Sequence, residues 1–407
     1  MSALAATCDS LNGAVNGGAL RTFWRTRSLA SGRFAHIDAM RAFAVLLVVV
    51  AHAGLGHIVP GGAGVTIFFA ISGFIITSLV LKESQRTGRF EIGGFYVRRA
   101  VKLIPPLVMV LLIPTIIYDL VGESIDWGAV TAQMFFYYNW LKLDHLDVFP
   151  GSAVVWSLSI EEQFYIAFAI LWLVVVRTSK AIPWLTAVAV LTICASTTLR
   201  FLFAQAGSVT VADRIYYGSD TRADSIAWGI LAAVALHKWQ RDTQGKKVFQ
   251  RLVGAHWTLI IAVGLFLTSL IIRDDWYRQT IRYSLQSVTT CMVVLYGFVS
   301  ADTLLFRAFS AACRIHVIQV IGLASYSIYL VHFSIAQYVL PKMDWLPRPA
   351  LVVVATTLAL VAGIALYHLV EIPSRAVYDR FRRRQEHENT EKAAAGLGSG
   401  STTSANV

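Results

Sequence analysis

The chain has 407 residues, 56% of them hydrophobic and only 14% charged, with mean hydropathy +0.60, whereas an ordinary soluble domain carries about 25% charged residues. That deficit excludes a string of soluble domains and indicates a polytopic membrane protein. A net charge of +11 raises the question of nucleic acid, but the basic residues are distributed as membrane topology would place them, so no nucleic-acid partner is expected.

Residues 1–35 are weakly apolar first and basic second, ending in Arg21, Arg25, Arg27 and Arg33. A cleaved signal peptide has the opposite order. The expectation is therefore a disordered cytoplasmic tail followed by an uncleaved first span. Ten apolar stretches come next: 39–57, 64–82, 103–121, 157–176, 182–204, 223–237, 257–273, 281–299, 318–340 and 349–370. They predict an all-α bundle of about ten transmembrane helices over 36–375. Between the third and fourth, AVTAQMFFYYNW (129–140) is amphiphilic and reads as a half-buried or interfacial helix. Residues 376–407 begin basic and end in AAAGLGSGSTTSANV, which predicts a disordered tail. With the N-terminus inside, 26 of the 35 Lys and Arg residues fall in cytoplasmic segments and 9 in external ones, so both termini are expected in the cytoplasm. Cys8, Cys194, Cys291 and Cys313 show neither metal-site spacing nor a pairing pattern, and no metal or structural disulfide is expected.

Several polar residues interrupt this apolar background. In RAFAVLLVVVAH (41–52), eleven helical steps return to nearly the same face, placing Arg41 and His52 in line and about 16 Å apart. Arg41 lies near the cytoplasmic end, and His52 lies in the outer part of the membrane, where a polar side chain needs a partner or a purpose. Ser72 and Gly73 fall midway down the second span, where small residues permit close helix approach. FYVRRAVKLIPP (95–106) sets Arg98, Arg99 and Lys102 before a proline pair expected to reset the helix direction. With Lys82, Arg86 and Arg89, these residues form either a phosphate cradle or a lipid-headgroup site.

WSLSIEEQFY (156–165) brings Glu161 and Glu162 into the fourth span. Successive helical residues differ by 100°, so at most one of them faces His52. Glu161 comes at a comparable depth and is the candidate to orient His52 as a base, with Glu162 turned away. Arg222 and Asp224, in TRADSIAWG, are placed to pair with each other. SYSIYLVH (325–332) carries Tyr326, Tyr329 and His332, the last a rival to His52 as base. Glu371 and Arg375 in EIPSR read as a helix stop. Trp156, Arg222, Asp224, Tyr326 and His332 are the candidate acceptor-binding residues.

Taken in order, Arg-x10-His, FFxxSGF, RRxxKxxPP, WSLSIEEQFY, RAD and SYSIYLVH resemble the acyltransferase 3 family of bacterial membrane O-acyltransferases, from Arg41 to about Arg375. The resemblance implies a multi-pass protein of the inner cell membrane, surrounded by lipid and holding no bound cofactor. It implies transfer of an acyl group, most often acetyl, from cytoplasmic acyl-CoA as co-substrate. The acceptor would be a hydroxyl of a surface polysaccharide, a lipid-linked sugar or a related compound. Arg41 and His52 would be essential, with Arg41, Arg98, Arg99 and Lys102 binding the donor. Two departures are mild: Ala39 and Ala42 stand where many members have glycine beside the arginine, and Lys102 replaces an arginine. The other class compatible with the residues is a transporter or flippase with His52 and Glu161 as a proton relay, although no paired halves with broken helices are seen.

Overall fold

The computed structural model describes residues 34–399 except 88–90, 143–147, 177, 179, 207–208, 242, 300–302 and 344. Every regular element among the described residues is helical. Nine that frame the site are α1 (Ala35–Val50), α2 (Gly61–Thr87), α3 (Ile92–Leu120), α4 (Val155–Val175), α5 (Ala181–Ala206), α6 (Ser219–Arg241), α7 (Ile281–Tyr296), α8 (Ser325–Tyr338) and α9 (Arg348–Leu366). Length and apolarity qualify six helices as membrane-crossing, or up to eight if two bent pairs each count as one span. Those pairs are Thr243–Val253 with His256–Ile271, bent by 52°, and Leu304–Cys313 with His316–Leu323, bent by 56°. The chain is thus an all-α, multi-pass bundle. Each of the ten apolar stretches lies on helix, but α7 and α8 have 16 and 14 residues. At 1.5 Å per residue they fall short of the ~30 Å hydrocarbon core.

Helix α2 runs through the middle of the bundle, with 72% of its apolar window buried inside the protein, against 17% for the peripheral α5. The tight crossing of α2 and α6 follows from two glycines. A Cβ on Gly73 would stand 2.0 Å from the Ile226 carbonyl oxygen, and one on Gly229 would stand 2.1 Å from that of Ala70. Gly73→Val is therefore expected to lower the detergent-solubilised Tm, because overpacking costs about 1–3 kcal/mol. Gly93→Val, with nothing within 4 Å of the added carbon, is the control and should leave the Tm nearly unchanged. An equal shift in both would show that α2 and α6 are not held by close approach.

Helix α1 lies between two layers. Ala42, Val45 and Val49 meet Ile321, Ala324, Ile328 and Ala359, while Val48 meets Val65, Phe69 and Trp156 on the other side. Its end is a π-turn, Ala51–Leu55, closed by Gly54 at φ +119°. A π-turn inserts a residue into the helical ladder and often accompanies a functional side chain. Here that side chain is His52.

Two expectations about helix punctuation are corrected. Pro105 and Pro106 lie inside the Ile92–Leu107 helix, and a π-turn at Val108–Leu112 follows them without ending α3. The proline nitrogens cannot donate to the preceding turn, and the widened turn falls just beyond them. EIPSR does not stop its helix either. Glu371 closes a π-turn, Tyr367–Glu371, and the chain continues as helix over Ile372–Ser399. The 129–140 segment divides into Trp127–Met134 and Tyr138–Leu141. Ala129, Val130 and Ala132 are buried, and Phe135, Tyr137 and Trp140 are exposed, as its amphiphilic pattern predicts.

Candidate active site

Two cavities meet inside the bundle. The larger, about 680 Å³, lies at the end where α1 begins and α2 and α6 finish, and is lined by Asp38, Arg41, Lys82, Gln85, Lys102, His237 and Arg375 among others. The smaller, about 240 Å³, is lined by Val65, Phe69, Ser72, Arg99, Glu161, Tyr165, Tyr326 and Tyr329 among others. Arg41, Ile75 and Lys102 border both. Among the described residues neither Arg41 nor Lys102 makes an ion pair or side-chain hydrogen bond. Neither side chain is locked to a carboxylate, so both can turn to an anion, although Asp38 lines the larger cavity and Glu161 the smaller.

The other basic candidates behave differently. Arg99 is held by both glutamates: its Nη2 lies 2.5 Å from Glu162 Oε1 and 3.5 Å from Glu161 Oε2, and its guanidinium stacks 3.7 Å from the Tyr165 ring centre. With its charge answered by two carboxylates, Arg99 is a strut of the smaller cavity. Arg98 is exposed and borders neither cavity. Arg89, from the same cluster, lies outside the described residues. Arg98 and Arg99 thus do not share a cavity wall as Arg41 and Lys102 do; Lys82 and Arg375 line the larger cavity, Arg375 being paired with the buried Glu371.

The glutamates divide as their 100° offset suggests, but not around His52. Glu161 borders the smaller cavity and contacts Ser72. Glu162 points away from that cavity and makes the shorter bond to Arg99. Neither is the partner of His52. The His52 Nδ1 lies 3.0 Å from the Val48 carbonyl and 3.2 Å from Nε2 of His332. The ring of Phe333 lies 4.6 Å away. The expected His52–Glu161 dyad is a His52–His332 pair, because α8 packs against the π-turn and fills that position first. His52 is exposed and His332 is buried. Their link to the smaller cavity is Tyr329, which borders it and presents its carbonyl to His332. Its hydroxyl is fixed by Ser157 at 2.7 Å and the Val154 carbonyl at 3.1 Å.

Arg222 and Asp224 do not pair. Asp224 accepts two 2.8 Å bonds from Arg200, a residue absent from the sequence-based candidates, and both side chains are fully buried. Arg222 donates to Thr66 and stands 4.0 Å over the Tyr283 ring. Two helical positions separate Arg222 from Asp224, so they face different ways: α2 and α7 supply the partners of Arg222, and α5 and α7 those of Asp224. A lone arginine deep in an apolar span was the signal that Arg200 is functional or paired. Tyr326 borders the smaller cavity and donates to the Leu103 carbonyl. Trp156 is buried against Tyr216 and Tyr217.

The family model described as "Acyltransferase domain" (Acyl_transf_3) matches residues 34–368. The chain belongs to the acyltransferase 3 family. The chain is 28% identical over 320 residues to "Putative O-acetyltransferase SACOL0978" of Staphylococcus aureus (strain COL), covering 74% of this chain and 50% of the relative. Against "Putative peptidoglycan O-acetyltransferase YrhL" of Bacillus subtilis (strain 168), it is 26% identical over 86% of this chain and 56% of the relative. Against "O-acetyltransferase OatA" of Staphylococcus aureus (strain NCTC 8325 / PS 47), the figures are 26%, 87% and 59%. The chain therefore spans only half to three-fifths of these relatives' length. No solved structure matches it.

Proposed function

We propose that this acyltransferase is an inner-membrane O-acetyltransferase that takes an acetyl group from acyl-CoA and passes it to a hydroxyl of a cell-surface carbohydrate. The observation that carries this reading is the pair of cavities sharing Arg41 and Lys102, with the histidine pair beyond the smaller one. A ten-span topology with both termini cytoplasmic would put the larger cavity on the side where acyl-CoA is found. The printed names of YrhL and OatA support an acetyl donor and a hydroxyl acceptor.

The chemistry follows from the residues. Arg41, Lys102 and Lys82 hold the donor phosphates, and the pantetheine arm lies along the mainly apolar smaller cavity with its thioester towards the histidines. Neutral His52 removes the acceptor's hydroxyl proton as the oxygen attacks the thioester carbonyl. The carbon–oxygen bond forms, the carbon–sulfur bond breaks, and the departing thiolate receives that proton from His52.

The test is acetyl-CoA-dependent CoA release by the purified full chain in detergent with a hydroxylated glycan acceptor. Arg41→Gln or Lys102→Gln should raise the KM for acetyl-CoA by roughly 10–100-fold, since a hydrogen bond to a charged group contributes about 1.5–3 kcal/mol. Arg98→Gln should leave that KM within about twofold, as expected for an exposed cation. No release of CoA with any hydroxyl acceptor would sink the proposal, and equal effects of Arg98 and Arg41 would sink this placement of the donor. A transporter would move its cargo without liberating the CoA thiol.

A further inference from the structure

We propose that His332 is a positioning residue that determines which ring nitrogen of His52 is basic. The inference rests on the reading of His52 as the base and adds the origin of its tautomer. His332 Nδ1 lies 2.6 Å from the Tyr329 carbonyl oxygen, which can only accept, so this nitrogen carries the hydrogen. A neutral imidazole has one N–H; Nε2 of His332 is therefore a bare acceptor. It faces His52 Nδ1 at 3.2 Å, and that same nitrogen faces the Val48 carbonyl at 3.0 Å. Both neighbours of His52 Nδ1 accept, so Nδ1 carries the hydrogen and donates. The lone pair of His52 is thereby confined to Nε2, the nitrogen left for the acceptor hydroxyl.

The arrangement does the work usually given to a carboxylate. When His52 takes a proton on Nε2, both of its nitrogens carry hydrogen and the ring is cationic. The Nδ1–H bond to His332 then becomes charge-assisted and shortens. His332 cannot pass a proton onward, because its own N–H ends at a carbonyl. It orients and does not relay. The titratable groups facing the pair are the two histidines and Tyr329, whose ring lies 5.4 Å from that of His332. Among the described residues no carboxylate or cation bonds to either imidazole. The geometry also explains why the pair spans 280 residues of sequence. Each backbone carbonyl sits three or four residues before its histidine on the same helix, so each helix sets its own ring and packing brings the rings together.

Nitrogen-15 NMR of histidine-labelled full chain in detergent, with His52→Ala to assign the signal, reads the tautomer without any turnover. Wild type should show His52 protonated on Nδ1; His332→Phe, which keeps a ring but leaves the Val48 carbonyl as the one remaining acceptor of the two, should shift the balance part of the way towards Nε2. In kinetics, His332→Phe should lower kcat at least about tenfold with the acetyl-CoA KM unchanged, and His332→Gln, whose amide oxygen can accept, should recover part of it. His332→Glu should move the acid limb of the kcat/KM profile to higher pH, since an adjacent carboxylate favours imidazolium; a residue that only fills space would not move it. A wild-type His52 with its hydrogen on Nε2 overturns the proposal, as does an unaltered kcat and pH limb in the variants. Should His332→Phe fail to fold, the wild-type spectrum still decides. Failure of the base reading has a separate signature: His52→Ala keeps its turnover while the spectrum shows the Nδ1–H tautomer.

Discussion

His52→Ala is expected to insert and fold normally yet lose acyl transfer by about 10²–10⁴-fold, the range contributed by a positioned general base. The side chain is exposed on a π-turn, so truncating it removes little packing. The measurement is CoA release by equal amounts of folded wild type and variant; retention of more than about a tenth of the rate would refute the assignment. The structure also says what this loss should combine with. Residues acting as one unit are strongly non-additive, so His52→Ala with His332→Phe should cost little more than His52→Ala alone. Glu161 is engaged with Arg99 and Ser72. Any donor-binding defect of Glu161→Gln should therefore persist in the His332→Phe background.

The largest expected effect on stability is at Asp224. Asp224→Ala leaves the Arg200 guanidinium buried without its counter-charge, and breaking one side of a buried pair costs about 3–5 kcal/mol. The fully buried Arg200 also donates to the Thr221 and Thr280 carbonyls and to Ser284, so it cannot swing out to solvent. Folded yield and Tm in detergent should fall sharply. Arg200→Met combined with Asp224→Leu should fall less than the sum of the single changes, because neither charge is then left alone. A simple sum would mean that the two residues support the fold separately. Arg222→Met should be milder than Asp224→Ala, since two of the Arg222 guanidinium nitrogens, Nε and Nη1, have no hydrogen-bond partner to lose.

The sequence was most legible where one-dimensional pattern controls structure. Apolar length located the helices of the apolar bundle, though not the polar helix that follows Glu371, and Ser72–Gly73 marked the close crossing of α2 because absence of a side chain is itself visible. Pattern was weaker wherever a role depended on a distant helix. The 100° offset between Glu161 and Glu162 separates their directions, but only the position of α3 decides that both reach Arg99. His52 and His332 could be named separately, yet nothing local pairs them. Arg222 and Asp224 looked like natural partners two residues apart, although helical neighbours at that spacing do not face each other. The π-turns escaped notice because an added residue per turn leaves composition unchanged while rotating everything after it.

Arg41 and Lys102 bear also on what a membrane enzyme must avoid. A bundle with cavities at successive depths risks becoming a conductive path, and a cell that stores energy as an ion gradient cannot tolerate a leak. Two basic side chains free of any ion pair among the described residues, in the wall shared by those cavities, form an electrostatic barrier to protons and metal cations while remaining attractive to a polyanionic donor. Donor recognition and insulation would then be one property of the same two side chains. Replacing both by neutral residues should make vesicles containing the protein permeable to protons, even where His52 has been removed and no acyl transfer takes place.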